Sequence, residues 1–145
     1  MMGVLWLSIL FSFAAAPPDL ASIRTEKNLE KRAGLAMDFA SHRVDTAREA
    51  WQAGKPAEMA AALQEIGDAV ELAQLSLKQT GKKASKSPKH FKRAELAARN
   101  LLRRLDSLIN DLSVDEREPA EKTRARVHRV QESLLLDIMT PAKRR

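Results

Sequence analysis

The sequence predicts an all-α protein, an antiparallel up-down-up-down four-helix bundle that follows an N-terminal signal peptide. Three observations support this fold class. The 145 residues are rich in Ala, Leu and charged residues and contain no Tyr, a composition typical of helices. Four segments of about 25 residues carry apolar residues spaced by three or four. Short connections containing Gly or Pro separate these segments, so we expect successive helices to pack as antiparallel neighbours.

The first 14 residues are predicted to be a signal peptide, and residues 15–25 a linker. The apolar run at residues 3–16 is shorter than the ~20 residues that a membrane-spanning helix needs. Cleavage after Ala14 is favoured, because cleavage after Ala16 would leave Pro17 at the new N-terminus. Since no Lys or Arg precedes the run, a retained N-terminal anchor is the alternative. We therefore expect an exported protein, periplasmic or secreted, that stays membrane-anchored if the segment is not cleaved.

The first two helices are predicted over residues 26–53 and 56–80, within a bundle of residues 26–139. Thr25 is the predicted N-cap of the first helix, and Gly54 and Gly81 are the predicted stops of the first and second. The residues expected to face the core are Leu29, Ala33, Ala36, Ala40, Val44, Ala47 and Trp51 in the first helix, and Met59, Leu63, Ile66, Val70, Ala73 and Leu77 in the second.

The third and fourth helices are predicted over residues 88–112 and 115–139. Ser87 is the predicted N-cap of the third, because a proline follows it at the first helical position. Ser113 and Glu116 have capping-box spacing, and the proline three residues later fits only in the first turn of the fourth helix. The residues expected to face the core are Phe91, Ala94, Ala98, Leu101, Leu105, Leu108 and Leu112, followed by Ala120, Val127, Val130, Leu134 and Ile138.

Placed on this bundle, the charges divide between its two ends. One end, which we name the basic end, collects residues 24–34, 72–96 and 132–145, with fourteen basic and five acidic residues and a net charge of +9. The acidic end collects residues 45–65 and 106–122, with four basic and ten acidic residues and a net charge of −6. The cations expected to bind an anionic partner lie in the loop between the second and third helices, in the first turn of the third and in the basic tail of residues 140–145: Lys82, Lys83, Lys86, Lys89, Lys92, Arg93, Lys143, Arg144 and Arg145.

Four leucines near the basic end are expected on the outer faces of their helices, as an apolar girdle. A projection at about 100° per residue places them opposite the core-facing residues. They are Leu35, Leu72, Leu96 and Leu136. Single exposed leucines and lysine-rich loops are also ordinary surface features. The functional interpretation is a docking end for an anionic membrane surface or an acidic envelope protein.

No motif of the chain indicates a catalytic activity. It lacks a P-loop, a glycine-rich nucleotide fingerprint and a G-x-S-x-G sequence. It has no Cys, which excludes disulfides and thiolate metal sites, and its three histidines lie on different predicted helices. Nucleic acid is not an expected partner, because side chains for base stacking are scarce. We therefore expect no enzyme, no cofactor, no metal and no small-molecule substrate.

Two other functions stay open as alternatives. In exported haem proteins of the cytochrome b562 type, a Met of the first helix and a His of the last bind the iron. Met37 and His128 lie at the same level of the predicted bundle, although His128 points away from the core-facing residues. This pair makes a haem or metal carrier one alternative. A periplasmic chaperone-like helical protein is the other.

Two segments carry a resemblance to a group of known proteins. Residues 87–95 (SPKHFKRAE) and 101–106 (LLRRLD) resemble small exported bacterial helical proteins of unknown function. The resemblance implies an exported helical domain and names neither an activity nor a site. The Leu-Thr-x-x-Gln repeats of one class of periplasmic stress chaperones do not occur. The expected function is therefore a non-catalytic binding or structural module of the cell envelope.

Overall fold

The computed structural model describes residues 18–141, and all regular secondary structure in this range is helical. The predicted all-α class with four long helices is thereby confirmed. Both the expected signal peptide and the cations of the basic tail lie outside the described residues. The helices are α1 (Leu20–Arg24), α2 (Leu29–Gln52), α3 (Pro56–Gln79), α4 (Lys89–Asp111) and α5 (Glu118–Met139), with a 3₁₀ turn at Val114–Glu116.

None of these helices is long and apolar enough to cross a membrane.

The beginning of the described chain differs from the expected linker. Asp19 accepts a hydrogen bond from the Ser22 N–H and caps α1, and the buried Ile23 of α1 joins the core. Thr25 closes α1, because its hydroxyl donates to the Ser22 carbonyl. The N-cap of α2 is Asn28, whose side chain accepts from the Lys31 N–H at 3.1 Å. The prediction of Thr25 as this N-cap is therefore wrong.

The other helix ends follow their sequence signals more closely. Gly54 and Gly81 follow α2 and α3 with φ of +69°, a left-handed conformation that favours glycine. The capping box of Ser113 and Glu116 is present, but it begins the 3₁₀ turn, and α5 starts two residues later with a proline in its first turn. Ser87 makes no cap hydrogen bond, since Pro88 holds the N-cap position of α4.

The four long helices pack around one core in an order that differs from the expectation. α2 packs against α3 and α4, and α5 packs against α3 and α4, whereas α3 and α4 make few contacts and lie across from each other. The nine-residue connection between α3 and α4 can span this distance, because an extended chain covers about 3.3 Å per residue. The three-residue connection between α2 and α3 instead holds those two helices side by side.

Interhelical hydrogen bonds define the helix directions. Arg43 and Arg32 of α2 contact Glu65 and Ser76 of α3, so these helices are antiparallel. α4 runs parallel to α2, since its contacts advance along both helices together, and α5 runs parallel to α3 for the same reason. The two ends of the molecule therefore collect the segments that the sequence analysis assigned to them.

The core follows the predicted periodicity most faithfully in α3 and α4. All seven expected core residues of α4 are buried, as are all six in α3. α2 and α3 pack closely, and small residues make up much of their buried faces: Ala33, Ala36, Ala40, Ala47, Ala62, Ala69 and Ala73. Leu29, Trp51 and Ile138 were expected in the core and are only partly buried.

Candidate docking surface at the basic end

The basic end is assembled around Glu30 in the first turn of α2. Its carboxylate accepts a hydrogen bond from Lys82 of the α3–α4 connection, and one oxygen lies 2.8 Å from His90 Nε2 on α4. The hydrogen bond from Lys82 holds the pKa of Glu30 below its ordinary value, with further support from the charge of a protonated His90. These contacts bring together the starts of α2 and α4 and the α3–α4 connection.

The cations predicted in this region divide into one paired lysine and five unpaired residues. Lys82, which was expected to be free for a partner, is engaged by Glu30. The other side chains are exposed and have no carboxylate within 4 Å among residues 18–141: Lys83, Lys86, Lys89, Lys92 and Arg93. Five cations therefore remain available to an external anion.

The C-terminal end of α5 meets the same surface. Thr140 and Pro141 line a shallow hollow together with Lys82 and Lys83 of the α3–α4 connection. The chain therefore enters the basic tail from the basic end, as the sequence predicts. Lys143, Arg144 and Arg145 themselves lie outside the described residues.

Only part of the expected apolar girdle is on the surface. Leu96 and Leu136 are 58% and 66% exposed, whereas Leu35 is half-buried against the core. Leu72 is only 8% exposed, so its expected outward position is wrong. α3 packs against helices on two sides and thus buries a wider face than a single apolar stripe predicts.

Two exposed apolar side chains at the basic end were missed by the sequence analysis. Leu75 is 52% exposed and Met139 70% exposed. Leu75 follows the buried Ala73 by two residues, so helical projection from α3's core-facing residues could have identified it. Of the five large apolar residues that are exposed in the described chain, four lie at this end.

The acidic end is less negative than its segments imply. Arg104 binds Asp45 at 2.6 Å, Arg124 binds Asp106, and Arg43 binds Glu65 at 2.8 Å. These three arginines lie outside the segments that define the acidic end, and they halve its net charge when they are included. The electrostatic polarity of the molecule therefore comes mainly from the basic end.

The residues considered for a haem site are not brought together. Met37 is buried in α2, whereas His128 of α5 is partly exposed beside Glu132, at 3.6 Å. α2 and α5 occupy opposite corners of the arrangement. Within residues 18–141, no three His, Asp or Glu side chains converge on a position that could hold a metal ion.

No protein-family model, curated protein or solved structure matches this chain.

Proposed function

We propose that this chain is an exported, non-catalytic binding module of the cell envelope, a four-helix bundle whose basic end docks on an anionic membrane surface. The observation that carries the proposal is the coincidence at one end of exposed cations and exposed apolar side chains. Lys92 and Arg93 lie one helical turn from the exposed Leu96. Binding to the interface of a bilayer combines attraction between cations and anionic lipids with burial of apolar side chains, and this end offers both.

The proposal of export rests on the N-terminal sequence. The proposal of a non-catalytic role rests on the positions and partners of the acidic side chains. The apolar run at residues 3–16 ends in alanines, which supports a cleaved export signal. Asp45, Asp106 and Asp111 pair with arginines of neighbouring helices at the surface. Such paired and solvated carboxylates are suited to joining helices, whereas a general acid needs a raised pKa in a secluded site.

The charges of the basic end support binding to anionic lipid. A cation near an anionic lipid surface contributes about 1 kcal/mol, so that five exposed cations act strongly together. This attraction is screened beyond about 8 Å at physiological ionic strength. Binding is therefore expected to weaken steeply as salt is added.

The test is co-sedimentation with vesicles of phosphatidylglycerol and phosphatidylcholine at low salt. A variant with Lys83, Lys86, Lys89 and Lys92 replaced by Gln should lose binding by a factor of at least ~100, since each lost cation costs about fivefold. Lys82 is retained because it pairs with Glu30. A charge-matched control replaces four exposed cations elsewhere, and it should bind almost as well as wild type: Lys55, Arg103, Lys122 and Arg129.

Equal binding of both variants would contradict a specific docking end. Equal sedimentation of the wild type with anionic and with purely phosphatidylcholine vesicles would contradict membrane docking. Capture of an acidic envelope protein by a wild type that ignores anionic vesicles would assign the basic end to a protein partner instead.

A further inference from the structure

A hollow of about 440 Å³ lies between the α3–α4 connection and the end of α5. We propose that this hollow binds one phosphate group, that of an anionic lipid at the membrane surface; the inference rests on the proposed function and names the chemical group that the basic end recognises. Three lysines line the hollow, namely Lys78, Lys82 and Lys83, and Asp137 is the one carboxylate among its lining residues. Lys82 is paired with Glu30 outside the hollow, so Lys78 and Lys83 are the two cations free to meet a ligand. The excess of positive charge favours a phosphate.

The backbone of the connection adds donors beside the lysines. The N–H groups of Lys83, Ala84 and Ser85 donate to no acceptor within residues 18–141. Ala84 is nevertheless 5% exposed, so this stretch of backbone lies against the protein and is not a projecting loop. Residues 83–85 all line the hollow, so their unpaired N–H groups are free to donate to an oxyanion bound there. Phosphate offers several acceptor oxygens to such a group of donors.

The surroundings of the hollow favour a phosphate carried by a lipid. Phe91 is among its lining residues and is only 4% exposed, so the hollow borders the apolar core. Leu136 and Met139, on the last turn of α5, are exposed close to the residues that line it. A lipid can place its phosphate between the lysines while these two side chains contact its glycerol and acyl region.

The first arm of the test compares two variants of equal charge in the vesicle experiment. Lys78→Gln with Lys83→Gln removes two cations of the hollow, whereas Lys89→Gln with Lys92→Gln removes two exposed cations of the same end that do not line it. We expect the first pair to weaken binding to phosphatidylglycerol vesicles about tenfold more than the second. Circular dichroism should show the same helicity for both variants and the wild type.

The second arm uses inorganic phosphate without lipid. At constant ionic strength, replacing chloride by phosphate should shift the amide resonances of residues 81–85 in the wild type and leave them unchanged in the variant lacking Lys78 and Lys83. A vesicle affinity far above the phosphate affinity would identify the lipid as the source of the phosphate. Equal affinities for vesicles and for inorganic phosphate would overturn the assignment to a lipid and would identify free phosphate as the ligand of the hollow.

Two results would overturn the inference while the proposed function stands. One is equal weakening by the two variant pairs, which would mean that only the total charge of the basic end matters. The other is the absence of any phosphate-induced shift at residues 81–85. Failure of the wild type to prefer anionic vesicles would instead contradict the proposed function itself.

Discussion

Arg126 of α5 lies flat against α3 where Gly67 provides the space. Its Nη2 lies 2.7 Å from Asp68 Oδ1 and 2.8 Å from Glu71 Oε2, and its Nε donates to Glu71 at 2.9 Å. A Cβ at Gly67 would lie 2.3 Å from Arg126 Nη1, so any larger residue must displace the guanidinium. These hydrogen bonds raise the pKa of Arg126 and lower that of Glu71. The absence of a side chain at Gly67 therefore makes room for Arg126 of the neighbouring helix α5.

We predict that Gly67→Ala and Arg126→Ala are energetically coupled. In the Arg126→Ala background, Gly67→Ala should stabilise the protein by about 1 kcal/mol, because alanine is the better helix former. In the wild type the same change also displaces the guanidinium, and this gain should shrink by about 1 kcal/mol or reverse. Urea unfolding of the four proteins measures the coupling. A Gly67→Ala effect that is the same in both backgrounds would show that Arg126 does not depend on the glycine.

The pH dependence of this coupling provides a control. The hydrogen bond from Arg126 is the largest cause of the lowered pKa of Glu71 in the folded protein. A lowered folded-state pKa means that the stabilisation is present above the ordinary value of 4.5 and is lost as the pH falls through the folded-state value. The coupling should therefore be full at neutral pH and decline in acid.

At the scale of elements, two neighbouring residues that could each cap α2 have different roles. Asn28 accepts from the Lys31 N–H, while the Thr25 hydroxyl closes the short helix α1. We predict that Asn28→Ala destabilises the protein by about 1 kcal/mol, because it leaves an N-terminal N–H of α2 without its acceptor. Thr25→Ala should cost less than half as much. Chemical unfolding measures the loss of stability in both variants. A larger loss for Thr25→Ala than for Asn28→Ala would contradict Asn28 as the N-cap of α2.

The helices themselves were predictable, whereas the width of their buried faces and their packing order were not. The strict three-four alternation of α4 located its core residues correctly, because α4 buries one continuous stripe. Leu72 was misplaced because α3 contacts α1 as well as α2 and α5 and buries a wider face than its own apolar stripe indicates. The diagonal placement of α3 and α4 depends on how two helical hairpins pack against each other. Only the nine-residue length of their connection hinted at it.

The candidate docking surface was predictable to a similar extent. The basic segment at residues 82–93 is evident in the sequence, and the fold places it at one end beside the end of α5. The pairing of Lys82 with Glu30 could not be foreseen, since these residues are 52 positions apart and meet only through packing. The arginines that reach the acidic end from outside its segments were missed for the same reason.

For the molecule as a whole, one end carries most of the unbalanced charge and most of the exposed large apolar side chains. The acidic end uses its carboxylates in ion pairs between helices, as Asp111 does with Arg48 at 2.6 Å. The basic end instead leaves exposed cations without carboxylate partners among residues 18–141, five of them between Lys83 and Arg93. This asymmetry predicts one defined orientation on an anionic membrane, with the basic end toward the lipid and the acidic end in water.

Fluorescence of single labels tests this orientation most directly, because the chain has no Cys and one introduced Cys gives one label. Ser87→Cys marks the basic end and Gln52→Cys the opposite end, both at exposed positions. With an environment-sensitive dye and phosphatidylglycerol-containing vesicles, we expect a blue shift and increased emission at position 87 only, reversed by high salt. Equal changes at both positions, or a change at position 52 alone, would contradict the account.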